Sequence, residues 1–110
     1  MELSKKDKKA AREIIEKGLQ QEFGNGLTEF LAILNKWKEN ETDNRETYHH
    51  IYKSISSFDK HIARRYDGIT GSKYLFIIAG QLNEKVISEN DLELFSDDVK
   101  NAVKLIAGLD

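Results

Sequence analysis

Apolar residues recur at steps of three and four along most of this chain, a spacing that places them on one face of an α-helix. The alternation typical of half-buried strands is confined to one short apolar run. Proline is absent from the 110 residues, so no ring clash interrupts a helix. The pattern predicts an all-α fold, a small bundle of four to five helices, forming a single domain over residues 1–110.

The first predicted helix is long and covers about 5–39. Ser4 and Asp7 have the spacing of a capping box at its start. The apolar stripe passes through Gly24-Asn25-Gly26 without a change of phase, whereas a turn would shift it. We therefore favour one continuous helix, with a bend or a break at Gly24–Gly26 as the alternative. Within that segment, Gly26 lies on the stripe, where a missing side chain permits close helix approach.

Three further helices follow from local signals. Asp43 and Glu46 predict the start of a second helix, which ends at Asp67-Gly68 because glycine readily adopts the left-handed conformation. The second helix carries an apolar and aromatic face, and residues 71–85 predict a buried central helix. A short acidic turn opens at residues 88–91, and the last helix begins after Ser96 and ends at Gly108.

The length of the first helix predicts a homodimer. Its 35 residues span about 52 Å, whereas a compact domain of this size is roughly 35 Å across. An overhanging apolar stripe would be exposed in a monomer, and exposed apolar patches mark interfaces. The alternative, a break at the glycines, gives a self-contained five-helix monomer. The predicted interface residues are Leu19, Phe23, Leu27, Phe30, Leu34 and Trp37.

Composition narrows the class of protein. The chain has no cysteine, which excludes a disulfide scaffold, a thiolate nucleophile and cysteine-based metal sites. No apolar run approaches the ~20 residues of a membrane span, and the first residues lack the apolar stretch of a secretory signal. We therefore predict a soluble, cytoplasmic protein with no membrane partner. The net charge of −2 combines a basic start with an acidic end.

One segment carries the densest cluster of cations and hydroxyls. Arg64 and Arg65 come at the end of the second helix, and Thr70, Ser72 and Lys73 come at the start of the next. Free N–H groups at a helix start, with nearby cations, form a binding site for anions. We therefore predict an anion site at these five residues.

The simpler reading of that segment is structural. Cations near a helix C-terminus complement its dipole, and the two arginines can pair with Asp59 or Asp67. The spacing of the glycines does not match a phosphate-binding loop.

Catalytic motifs are absent from the sequence. We find no nucleophile beside a base, and Glu46-x-x-His49 lacks the second motif that a di-iron bundle needs. We therefore predict no metal, no cofactor and solvent-exposed histidines. The sequence favours a non-enzymatic protein-interaction module of unknown partner that forms a homodimer. The alternative is a nucleic-acid-associated regulatory protein that binds phosphates through Lys60, Arg64, Arg65 and Lys73, with further lysines near the N-terminus.

Overall fold

The computed structural model describes residues 2–109, and helix is the only regular secondary structure in that range. Its four α-helices are α1 (Lys5–Lys38), α2 (Asn44–Tyr66), α3 (Tyr74–Asn83) and α4 (Asp97–Ile106). Two 3₁₀ segments, Gly71–Lys73 and Glu89–Leu94, precede α3 and α4. The all-α prediction is confirmed. No helix within residues 2–109 combines the length and the apolar character needed to cross a membrane.

The long first helix is continuous. It runs from Lys5 to Lys38 through Gly24 and Gly26, so the unbroken phase of the apolar stripe predicted it correctly. At its start the backbone N–H of Asp7 donates to Ser4 Oγ at 3.1 Å. That bond satisfies one of the free N–H groups of the first turn.

The chain divides into two compact units. We call residues Glu22–Asp67 the hairpin unit, and Met1–Gln21 together with Gly68–Asp110 the discontinuous unit. The prediction of a single domain stays a prediction.

The hairpin unit contains the second half of α1 and all of α2. The side chain of Asp43 accepts a hydrogen bond from the backbone N–H of Glu46 at 2.7 Å, which caps α2 as predicted. Trp37 Nε1 donates to Asn44 Oδ1 at 2.6 Å beside the turn. The helix ends at Tyr66, and Gly68 has the expected positive φ of 69°.

The discontinuous unit buries the start of α1 together with α3 and α4. Its core is mostly aliphatic and includes Ala11, Ile14, Ile78, Leu92 and Val103. The buried side chain of Gln81 crosses from α3 to α1 and donates through Nε2 to the carbonyl of Ile15 at 3.0 Å. A Cβ on Gly18 would lie 2.2 Å from Gln81 Nε2, so only glycine leaves room for this amide.

The central helix departs from its prediction in two ways. The segment 71–73 is a 3₁₀ turn, and the α-helix begins only at Tyr74. We expected apolar burial on every side, but Phe76 is exposed while Ile77 and Ile78 are buried. A helix that lies at the surface of a small unit can bury only part of its circumference, so one apolar position faces solvent.

Asp7 ties the start of α1 to the start of α4. Its carboxylate accepts hydrogen bonds from the backbone N–H of Ser96 at 2.9 Å and from the Ser96 hydroxyl at 2.8 Å. The Ser4 hydroxyl also donates to it, at 3.1 Å. The Ser96 N–H, then the Ser96 and Ser4 hydroxyls, lower the pKa of the Asp7 carboxyl despite its burial.

We expect Asp7 to stabilise the fold in a pH-dependent way. Because its pKa is lower in the folded state, its contribution is complete above the unfolded pKa of about 3.9 and is lost as the pH falls through the folded pKa. Asp7→Asn should therefore lower the free energy of unfolding by about 1–2 kcal/mol at pH 7. Urea titrations at several pH values measure this difference. It should shrink towards pH 2, and a difference independent of pH would contradict the assignment.

Candidate interaction surface

The aromatic ring of Phe58, on α2, packs against α1 within the hairpin unit. It packs edge-on against Phe23 and Phe30 of α1, with ring centroids 5.8 and 5.9 Å apart. A Cβ on Gly26 would lie 2.8 Å from Phe58 Cε2, so the missing side chain makes space for the ring. These contacts join the start of this part of α1 to the later half of α2, and Trp37 meets Asn44 at the other end. The two helices are therefore antiparallel.

A buried carboxylate lies in the seam, by which we mean the contact surface between these two helices. Glu22 is only 4 % exposed, and its Oε1 accepts a hydrogen bond from the Arg65 guanidinium at 2.8 Å. His61 Nε2 lies 2.7 Å from the same oxygen, and the Tyr66 hydroxyl donates to Oε2. All three partners lie within the last turns of α2. Hydrogen bonds to a buried charge are what make its burial tolerable.

An apolar stripe on α1 is largely uncovered within the hairpin unit, although Phe23, its first member, also contacts Phe58. Phe23, Leu27, Leu31, Leu34 and Trp37 follow one another at steps of three and four and are 42–65 % exposed. Side chains at these steps lie on one face of the helix. The hairpin unit therefore presents a continuous row of large apolar side chains to solvent.

A second stripe lies on α2. Tyr48, Tyr52 and Ile55 are 67 %, 65 % and 47 % exposed, and they also follow helical steps. The sequence predicted one apolar and aromatic face on this helix, with these three residues in it. That reading was wrong because the apolar positions of α2 form two stripes, and the inward one contains Phe58.

The two exposed stripes lie on the same side of the hairpin. At 100° per residue, each stripe is rotated by roughly 90° from the residues of its own helix that face the other helix, in the same sense along the chain. Because the helices run antiparallel, equal rotations in that sense bring both stripes to one side. We call the eight exposed apolar side chains of this side the apolar face: Phe23, Leu27, Leu31, Leu34, Trp37, Tyr48, Tyr52 and Ile55.

The opposite side of the hairpin is polar. A groove there is lined by Glu29, Lys53, Ser54, Ser57 and His61 around the edge of Phe58. The hairpin unit is therefore amphipathic as a whole, with one polar side and one apolar side.

The predicted interface residues differ in their exposure and in the unit to which they belong. Phe23, Leu27, Leu34 and Trp37 are exposed on the apolar face, and Phe30 is half-buried beside Phe58. Leu19 is half-buried and belongs to the discontinuous unit. Their role in an interface stays a prediction.

The predicted anion-binding residues belong to different units. Arg64 and Arg65 lie in the hairpin unit, whereas Thr70, Ser72 and Lys73 lie in the discontinuous unit. The hydroxyls of Thr70 and Ser72 are 3.0 Å apart. The anion site stays a prediction.

The structure revises the expected partners of the arginines and histidines. Arg65 pairs with Glu22, whereas the structural reading of this segment predicts Asp59 or Asp67 as its partner. His49 and His50 are exposed as predicted, but His61 is half-buried against Glu22. The local pattern of α2 does not predict the burial of His61, because its partner Glu22 is 39 residues away in the sequence.

Comparison with known proteins gives a fold and no family. No family model matches this chain, and no curated protein matches it. Among solved structures it is similar to the Fluorescence Recovery Protein from Synechocystis sp PCC 6803, with a TM-score of 0.80 and 19 % sequence identity. The match covers 98 % of this chain and 100 % of that one. The two chains share an all-helical fold.

Proposed function

We propose that this protein is a non-enzymatic helical interaction module that self-associates as a homodimer through the exposed stripe of α1. The observation that carries the proposal is the continuous row from Phe23 to Trp37, which the hairpin unit leaves largely uncovered. Monomeric proteins rarely expose large contiguous apolar patches, and those that exist mark binding surfaces.

A second copy is a suitable partner for this stripe. In a two-fold dimer the same patch meets itself, so an apolar row on one copy is matched by an apolar row on the other. The hairpin unit has seven basic and eight acidic residues, with histidine neutral, so its net charge of −1 does little to oppose self-association.

Light scattering over the micromolar concentration range tests the dimer. We expect a mass of twice the 12.6 kDa chain, decreasing only on dilution. A mass of 12.6 kDa at every concentration would rule out the homodimer. The absence of any catalytic role is part of the same proposal and rests on the lack of a recognisable nucleophile–base pair in the sequence.

The nucleic-acid alternative is not favoured by the geometry. Arg65, one of its proposed phosphate contacts, already donates to Glu22 and is largely buried. The alternative stays a prediction. Retardation of DNA or RNA by the protein at ~50 mM salt, weakening steeply as salt rises, would support it.

A further inference from the structure

We infer that the α2 stripe of Tyr48, Tyr52 and Ile55 belongs to the same self-association surface, so that each copy contributes two helices and the dimer core is a four-helix arrangement. The inference rests on the proposed homodimer and adds to it the α2 residues that complete the interface. Its partner is a second copy of this chain.

The first argument is the shared orientation of the two stripes. Because both lie on one side of the antiparallel hairpin, a copy that packs on Leu27 and Leu31 also faces Tyr52 and Ile55. A partner covering α1 alone would leave Tyr48 and Tyr52 in water beside a buried interface. Tyrosine suits such a position, because its ring packs in the interface while its hydroxyl reaches water at the edge.

The second argument is the area that a stable dimer needs. Taking about 190 Å² for a fully exposed large side chain, the five α1 residues offer on the order of 470 Å². A specific interface buries about 800 Å² on each partner. Adding Tyr48, Tyr52 and Ile55 brings the apolar face to roughly 800 Å². About 65 % of a homodimer interface of that size is apolar, which is on the order of 520 Å² on each partner. The α1 stripe alone falls just short of this apolar area, whereas the two-helix face exceeds it.

A pair of matched substitutions on α2 tests the inference. Tyr52→Glu places a charge in the middle of the apolar face, whereas Ser57→Glu places the same charge on the same helix in the polar groove. Burial of an unpaired carboxylate is strongly unfavourable. We expect Tyr52→Glu to raise the dimer dissociation constant at least 100-fold and Ser57→Glu to change it less than threefold. Light scattering gives the masses, and circular dichroism reports helix content.

Thiol protection gives a second measurement in case Tyr52→Glu fails to fold. The chain has no cysteine, so Ile55→Cys and Ser57→Cys each carry a single thiol. We expect the Ile55→Cys thiol to react with a maleimide more slowly as the protein concentration rises into the dimeric range. The Ser57→Cys thiol should react at the same rate throughout.

The outcomes separate this inference from the proposed function. A wild-type protein that stays at 12.6 kDa overturns both. A wild-type dimer that persists in Tyr52→Glu, with the Ile55→Cys thiol equally reactive at all concentrations, overturns the two-helix interface and leaves the α1 homodimer standing.

Discussion

Glu22→Ala is expected to lower the free energy of unfolding by about 3–5 kcal/mol, the range observed when one partner of a buried ion pair is removed. The substitution withdraws the carboxylate from Arg65, His61 and the Tyr66 hydroxyl at once. Arg65 would then remain a largely buried cation without this carboxylate, and α1 would lose its polar link to the end of α2.

Glu29→Ala is the matched control for this substitution. Glu29 is an exposed glutamate on the same helix and in the same unit, so its removal should change stability by less than about 0.5 kcal/mol. Urea denaturation at one fixed protein concentration compares the variants, because dimerisation makes stability depend on concentration. Equal midpoints for Glu22→Ala and Glu29→Ala would show that the buried carboxylate does not hold the hairpin together.

Gly24 and Gly26, two of the three glycines of α1, should respond to alanine in opposite directions. At Gly26 a Cβ would meet the Phe58 ring at 2.8 Å, and that ring is already held between Phe23 and Phe30. Overpacking of this kind costs about 1–3 kcal/mol and outweighs the gain in helix propensity. At Gly24 a Cβ meets nothing within 4 Å, so alanine should stabilise the helix by about 0.5–1 kcal/mol.

Thermal unfolding followed by circular dichroism measures both substitutions. We expect the melting temperature to rise for Gly24→Ala and to fall for Gly26→Ala. A rise for both would mean that the Phe58 ring moves aside without loss, and that Gly26 is not needed for close packing of α1 on α2.

The positions at which the helices begin and end were largely predictable from the sequence, because they depend on local signals. The unbroken apolar phase through Gly24–Gly26 outweighed the turn signal of the two glycines, and α1 is indeed continuous. The positions of the capping residues Asp43 and Ser4 were also readable, because a cap and its N–H partner are only three residues apart.

The packing partners could not be predicted to the same extent. Glu22 meets α2 through residues 39 to 44 positions away, and no local pattern specifies that pairing. One signal was present, however. Ile15, Gly18, Glu22, Gly26 and Ile33 follow helical steps, and small residues at such steps indicate a helix–helix contact. The larger side chains beside this row give a stronger apolar signal in the sequence, and the structure places them largely on the exposed face.

The division of the chain also has a consequence for the order of folding. The hairpin unit is a single stretch of sequence, with its helices joined by a short turn, so its contacts close small loops. The discontinuous unit must bring together segments separated by the 46 residues from 22 to 67. Such non-local contacts form more slowly. During synthesis the hairpin can therefore assemble first. The apolar residues of the first half of α1, from Ala10 to Ile15, can be buried only after α3 and α4 have left the ribosome.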